Sequence, residues 1–408
     1  MGIKDLYKVI NENAPECRSV HHLSEFRGYS FAVDISIFLN KYIKSAGDKL
    51  WMNTFFLFLC TLKKHGIKTV CVFDGPNPPK EKIEEQESRR GQGQKALNRL
   101  DRCKEINEIL KKLYMENNDA SVPKEIQDEC KILYGTPRSN TRDYNWFEVT
   151  DAMDGMNSTI DRLVRSTIPI TSKHREDAKK IVEMMGVPLF QADGEAEALC
   201  SYLVIHGYAD AVLTEDTDVL AYGSNMMVAF KDFKLNDETV HVIDHKVLLD
   251  TLSFNQSEFM DLCILLSCDY NHRVKGYIPG KKCKKPISIG YKGALAMVEE
   301  YRQFEDIEKY IPDPSPLIWK RCREIFTPPL SDEFRELIKM VPLNKKPDED
   351  RIRKFIQEEG LSISIDYILE NWKPARILFE FEEEDDKTEE EKETDDKIDE
   401  IMSMIAQL

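Results

Sequence analysis

In "AVLTEDTDVL" (residues 211–220) an apolar run typical of a core strand passes into Glu215, Asp216 and Asp218, with no Lys or Arg among them. Partly desolvated anions are costly unless something positive meets them. Asp216 and Asp218, spaced i, i+2, would aim to one face if the segment stays extended. Four further segments carry acids in similar places. "YSFAVD" closes on Asp34, "TVCVFD" on Asp74 and "LCILLSCDY" on Asp269, while "QADGEAEALC" offers Asp193 as a helix cap with Glu195 and Glu197 in the first turns. Any one of them can be read as an ordinary strand end or turn acid. Taken together, Asp34, Asp74, Glu195, Glu197, Asp216, Asp218 and Asp269 would repel one another strongly if they converged, and the usual remedy is a divalent cation with oxygen ligands. Mg2+ binds through a few carboxylates and keeps waters that a phosphate can displace. Two such ions about 3.5–4 Å apart stabilise the attacking and leaving oxygens of a phosphodiester in an in-line displacement. Phosphodiester hydrolysis is the chemistry this acid set suits.

Convergence needs a fold that brings distant segments together. Short β-branched runs alternate with helical patterns, which is the sequence form of an α/β protein with a mainly parallel central sheet flanked by helices. Ligands of such sheets bind outside the carboxyl ends of the strands, where the acids at 34, 74, 216 and 218 fall.

The chain has 408 residues, 41% of them hydrophobic, enough to bury a substantial core. Neither a signal peptide nor an apolar run of membrane-spanning length is present, and "MGIKDL" has Leu6 where a myristoylation site needs Ser or Thr. An intracellular protein with no membrane association is expected. The ten cysteines form no CxxC pair and several lie in apolar runs, which predicts reduced core thiols. The net charge of -16 is concentrated in a tail: residues 380–400 hold 14 acids and 3 Lys. Residues 380–408 are expected to be an acidic disordered tail, with "IMSMIAQL" as a possible short docking helix. Two zones run the other way. Residues 80–112 hold 10 Lys or Arg against 7 acids, and "RVKGYIPGKKCKK" holds six basic residues and no acid. They suit either a polyanion site or solvated surface.

The segments "MGIKDLYKVI", "FAVDIS", "VFDGPNPP", "GEAEA", "TEDTDVLAYGS" and "DLCILLSCDY" occur in the order seen in the flap endonuclease and xeroderma pigmentosum group G (XPG) family of structure-specific 5′ nucleases, which this chain resembles. The resemblance covers most of 1–112 and 171–300, and more loosely 301–372. It implies a PIN-like 5′ nuclease fold with a helical arch and a helix-hairpin-helix element. It further implies that the seven acids hold two Mg2+ ions, with Mn2+ able to substitute. Lys82 and Arg89 would reach the scissile phosphate from the arch; seven apart, they would share a helix face. Gly2, after loss of Met1, would lie near the junction, with Arg90, Gly290, Lys292 and Gly293 among the DNA contacts. The implied substrate is branched or flapped DNA, cut endo- and exonucleolytically by a monomer acting in the nucleus or another site of replication and repair.

Departures from the family pattern shape the expected organisation: a nuclease region at 1–112, a polar cap at 113–170, nuclease again at 171–270, a helix-hairpin-helix with a basic insertion at 271–300, helices at 301–379, then the tail. The insertion "YIPGKKCKKPIS" sets Lys281, Lys282, Lys284 and Lys285 beside the hairpin "SIGYKGA", which lacks the usual Pro. No sliding-clamp motif occurs, "ILFEF" (residues 377–381) being at most a remnant. Bubble cutting and junction binding without cleavage are the alternatives within the fold. A phosphatase reading of "VFDG" fails because Pro76 stands where a second acid is needed.

Overall fold

The β-branched runs pair into a seven-stranded sheet built from β1 (Arg18–His22), β2 (Ser30–Asp34), β3 (Lys68–Phe73), β4 (Leu189–Gln191), β5 (Ala211–Leu213), β6 (Met226–Ala229) and β7 (Thr239–Asp244). The order is β1-β7-β6-β5-β2-β3-β4. The five strands from β6 to β4 run parallel, and β7 and β1 close that edge antiparallel. A two-residue pair, β8 (Lys275–Gly276) and β9 (Ile287–Ser288), forms a separate hairpin. This is a computed structural model, and it describes residues 2–117, 121–134, 148–229, 238–281, 284–327 and 345–372. The acidic tail, "IMSMIAQL", "ILFEF", Lys282 and most of "YGTPRSNTRDYNWFEVTDAMDG" lie outside the described residues.

The helices in chain order are α1 (Leu6–Asn13), α2 (Ile35–Ala46), α3 (Trp51–Lys64), α4 (Ile83–Glu116), α5 (Lys124–Tyr134), α6 (Val149–Ser166), α7 (Ser172–Met184) and α8 (Ala196–Ile205). They continue with α9 (Asp218–Tyr222), α10 (His245–Leu252), α11 (Gln256–Leu266), α12 (Tyr291–Tyr301), α13 (Phe304–Ile307), α14 (Trp319–Ile325), α15 (Glu349–Glu358) and α16 (Ile365–Trp372). None of these is long and apolar enough to cross a membrane.

Two compact units result: one from 1–39, 53–82 and the chain from 173 onward, the other from 40–52 and 83–172. In the first, a continuous core joins α1, α8, α11, α12 and α14 through buried side chains such as Leu6, Phe190, Phe259, Leu266 and Phe304. α8 is apolar nearly all round because it is buried on almost every side. α11 starts with a capping box, Asn255 accepting from the Glu258 N–H while Glu258 reaches back to the Asn255 N–H. Asn53 Oδ1 ties the segment before α16 to α3, accepting the N–H groups of Ser362 and Ile363 at 3.1 and 3.0 Å.

In the second unit only the C-terminal half of the 34-residue α4 is buried. Leu100, Cys103, Ile106 and Leu110 pack against Val149, Ala152, Met156 and Leu163 of α6, with Val122, Cys130 and Leu133 completing the cluster. Residues 87–95, including Gly91 and Gly93, are exposed. The nine described cysteines are all buried and unbridged, as the absence of CxxC pairs predicts.

Candidate metal centre

The centre forms because β2, β3 and β5 are parallel neighbours that end together. Asp34 is the last residue of β2 and Asp74 the first after β3. The Asp74 Oδ1 accepts the Ala196 N–H at 2.9 Å, which fixes the start of α8 and brings Glu195 and Glu197 to the end of β3. One oxygen from each of Asp74, Glu195 and Glu197 falls within 4.8 Å of the others. Asp193, expected as the cap of this helix, does not serve: its Oδ1 accepts from the Asn77 side chain at 2.8 Å, and Asp74 takes the helix amide instead. The loops meet closely here. Gly75 donates its N–H to the Gly194 carbonyl at 2.7 Å, and a Cβ at Gly75 would stand 2.0 Å from the Ala192 oxygen.

The segment after β5 corrects a second expectation. Asp216 and Asp218 are not an extended pair. The strand stops at Leu213, the Asp216 Oδ1 accepts the Asp218 N–H at 3.1 Å, and Asp218 opens α9. An Asp side chain competing for nearby backbone amides favours such a turn over a strand. The two carboxylates still adjoin, because Gly2 sits against both: a Cβ there would lie 2.1 Å from Asp216 Oδ1 and 2.5 Å from Asp218 Oδ1. The Gly2 φ of +84° is in the left-handed region, and the Ile3 N–H is held by Thr217 Oγ1 at 2.9 Å. Asp269 follows α11 in a turn closed by Asn271, whose side chain accepts from the Cys268 N–H at 3.0 Å and donates to the Ile264 and Leu317 carbonyls.

The electrostatics fit a hard divalent cation. Asp34 Oδ1 and both Asp218 carboxylate oxygens are buried without a hydrogen-bond partner, which ionised carboxylates do not tolerate unless a cation meets them. Burial raises the Asp34 carboxyl well above the usual range, and Asp74 and Asp216 add repulsion. Asp218 is raised by burial and then by Asp216. Glu197 is raised by burial although Lys82 pulls the other way.

Lys82 is placed differently from the expectation of a shared helix face. It ends a single turn, Lys80–Lys82, before α4 begins, so it is buried and is not part of the helix that carries Arg89. "NPPK" dictates this, the Lys82 N–H bonding the Pro79 carbonyl at 3.0 Å. Its ammonium pairs with Glu195, lies 3.6 Å from Glu197 Oε1 and stands over the Tyr270 ring at 6.0 Å. Burial works against that charge, but Glu197 and Glu195 hold it above the ordinary lysine range. Arg89 lies on the exposed part of α4, its Nε 2.9 Å from Glu85 Oε1, and Arg90 is exposed beside it.

The expected DNA-contacting hairpin lies between α11 and α12. Gly290 caps α12, Lys292 is exposed and paired with Glu12 at 3.1 Å, and Gly293 is buried. Ile278 of the basic insertion packs against Gly293, anchoring the insertion to the hairpin. Lys281, Lys284 and Lys285 are exposed. Thr214 escaped the sequence reading: its Oγ1 donates to Asp34 Oδ2 at 3.2 Å and accepts the Asp216 N–H at 3.1 Å. The hydroxyls interleaved with acids in "LTEDTD" were the available signal for Thr214 and Thr217. Asn271 and Tyr270 gave none beyond adjacency to Asp269.

Comparison with known proteins bears on the family and the fold. Residues 1–96 match the XPG N-terminal domain and 186–269 the XPG I-region. The chain is 29% identical to "Flap endonuclease 1" of Ajellomyces dermatitidis (strain ER-3 / ATCC MYA-2586), over 86% of this chain and 83% of that one. It is 25% identical to the "Probable RAD2-like endonuclease 369L" of Invertebrate iridescent virus 6, over 98% and 99% of the two chains. Among solved structures, flap endonuclease-1 from Methanococcus jannaschii superposes with a TM-score of 0.52 at 20% identity, covering 88% of this chain and 94% of that one. The catalytic core of Rad2 in complex with DNA substrate also gives 0.52, at 18% identity, with 91% and 99% covered. At these identities the structural likeness establishes the fold.

Proposed function

This chain belongs to the XPG family of nucleases, and we propose that it is a Mg2+-dependent, structure-specific 5′ flap endonuclease that also degrades from 5′ ends. The observation that carries the reading is the carboxylate group at the ends of β2, β3 and β5, in which Asp34 and Asp218 are buried with unpartnered oxygens. Asp34, Asp74, Glu195, Glu197, Asp216, Asp218 and Asp269 are the residues to hold the ions. Two Mg2+ ions there, or Mn2+ in their place, would supply Lewis acid at the attacking and leaving oxygens of the phosphodiester.

The chain's own groups do the positioning. Thr214 and the Asp216–Asp218 turn orient the acids at the end of β5, while the Asp74–Ala196 bond holds Glu195 and Glu197 in place. Lys82 stays cationic through the neutral range, so it acts as a fixed positive donor and not as a base. With substrate present its ammonium moves from Glu195 towards the scissile phosphate, and Arg89 adds a second positive charge there. α12, Lys292 and the insertion lysines hold the duplex arm through its backbone, which positions the junction without reading sequence.

The test is a panel of 5′-labelled flap, bubble, nicked and gapped duplexes incubated with Mg2+. Preferred incision at the base of the flap supports the proposal. Preferred bubble incision shifts it to an excision-repair type of cleavage, and binding without cutting on every substrate overturns it.

A further inference from the structure

Three residues far apart in sequence converge at a second place in the first unit. His22 ends β1, His65 follows α3, and Glu238 precedes β7. The His65 Nε2 lies 2.7 Å from Glu238 Oε2 and the His22 Nε2 lies 3.7 Å from the same oxygen. All three donor atoms fall within 4.8 Å of one another. Ligands about 2 Å from a tetrahedral centre stand roughly 3.3 Å apart, so small side-chain rotations bring this set to coordinating distance. The two rings meet edge to face, with centroids 5.2 Å apart, and both present Nε2 to the carboxylate.

The surroundings are those of a ligand set. The second Glu238 oxygen, Oε1, is held by Lys64 Nζ at 2.8 Å, which leaves Oε2 to face the rings. The His22 Nδ1 lies 2.8 Å from Ser24 Oγ and 3.2 Å from the Ser24 N–H. Nδ1 accepts that amide here, so the neutral ring carries its proton on Nε2; an ion binding at Nε2 moves the proton to Nδ1, where Ser24 Oγ accepts it in place of the hydrogen bond from the amide. Glu238 holds a φ of +44°, a strained setting for a non-glycine residue, while its carbonyl accepts the Leu23 N–H at 2.9 Å. His65 is buried and His22 exposed, so an ion can enter from the His22 side.

We infer that His22, His65 and Glu238 form a site for a divalent transition ion of the Zn2+ class, separate from the carboxylate centre and structural in role. Two imidazoles and one carboxylate suit Zn2+, whereas Mg2+ prefers oxygen donors alone. β3 separates the two sites along its length: His65 precedes its first residue and Asp74 follows its last, and six residues extend about 20 Å. A bound ion ties the end of β1, the α3–β3 turn and the start of β7 together, and leaves a coordination position for water.

The experiment uses the full chain, desalted after incubation with Zn2+ in buffer holding excess Mg2+. Metal analysis is expected to find one tightly held Zn2+ per chain, together with a rise in Tm. Co2+ in its place should show the strong visible bands of a nitrogen-containing, low-coordinate site. His22→Ala, at an exposed position that spares the core, and Glu238→Gln should each weaken Zn2+ binding by at least about 10²-fold and abolish the Tm rise. Mg2+-dependent cleavage by these variants should be unchanged. Zn2+ retention and Tm shift equal to wild type in His22→Ala and Glu238→Gln would overturn the site, as would failure of the wild-type chain to retain Zn2+.

Discussion

Gly2 stands directly against Asp216, so closely that a Cβ would lie 2.1 Å from its Oδ1. The N-terminus is thus part of the wall of the carboxylate centre, fixed by the Ile3–Thr217 bond and by the Lys4 N–H on the Ser267 carbonyl at 2.9 Å. Gly2→Ala forces both a shift of the acids and a disfavoured φ. Displacement of reacting groups by about 1 Å costs on the order of 10²-fold, and that is the loss expected in single-turnover cleavage. Cleavage within a few-fold of wild type would show that the N-terminus can move aside.

Asp34 lends itself to a stability measurement without metal. Its carboxyl is raised by burial and by Asp74 and Asp216, so its folded pKa lies above the unfolded one. The folded state then gains stability from the protonated form at low pH and loses it as pH rises through the folded pKa. Asp34→Asn removes that loss. In EDTA the variant should melt a few degrees above wild type at neutral to alkaline pH, with the gap closing in mild acid. A variant less stable than wild type at alkaline pH would contradict the repulsion argument.

Arg89 occupies the exposed half of α4, paired with Glu85 one turn earlier. If it acts on the reacting phosphate, Arg89→Ala lowers the single-turnover rate by about 10² or more, with a much smaller loss of affinity. A fall in affinity with the rate intact would place Arg89 on the duplex flanks.

The basic insertion predicts a salt effect. Each neutralised phosphate adds about 0.9 to the slope of log affinity against log salt. Replacing Lys281, Lys282, Lys284 and Lys285 together by Ala should flatten the slope by roughly two to four units on every duplex-containing substrate. Junction preference and the saturated rate should survive. An unchanged slope would leave these lysines as solvated surface.

The strand-borne part of the site was legible because β2 and β3 announce their ends in sequence: "SFAVD" and "TVCVFD" run apolar to the acid. The parallel order followed from the alternation of strand and helix patterns. What escaped depends on hydrogen bonds that composition does not encode. Asp218 belongs to a helix because Asp216 captures its amide, and Lys82 is buried because two prolines turn the chain before α4. Asp193 lost the cap of α8 to Asp74, a residue 122 positions from Ala196. His22, His65 and Glu238 carry no mutual spacing signal at all, since a strand end, a helix end and a strand start meet only in the folded chain.

The central claim, that the carboxylate centre performs metal-dependent 5′ flap cleavage, is tested most directly at Asp216. Wild type and Asp216→Asn are compared on one 5′-labelled flap under single-turnover conditions, with Mg2+ and with EDTA. The substitution removes a ligand charge at constant shape, so cleavage in Mg2+ should fall by about 10³-fold or more while melting and flap binding stay near wild type. EDTA should silence both proteins. Turnover by Asp216→Asn close to wild type, or cleavage by wild type that persists in EDTA, would contradict the account.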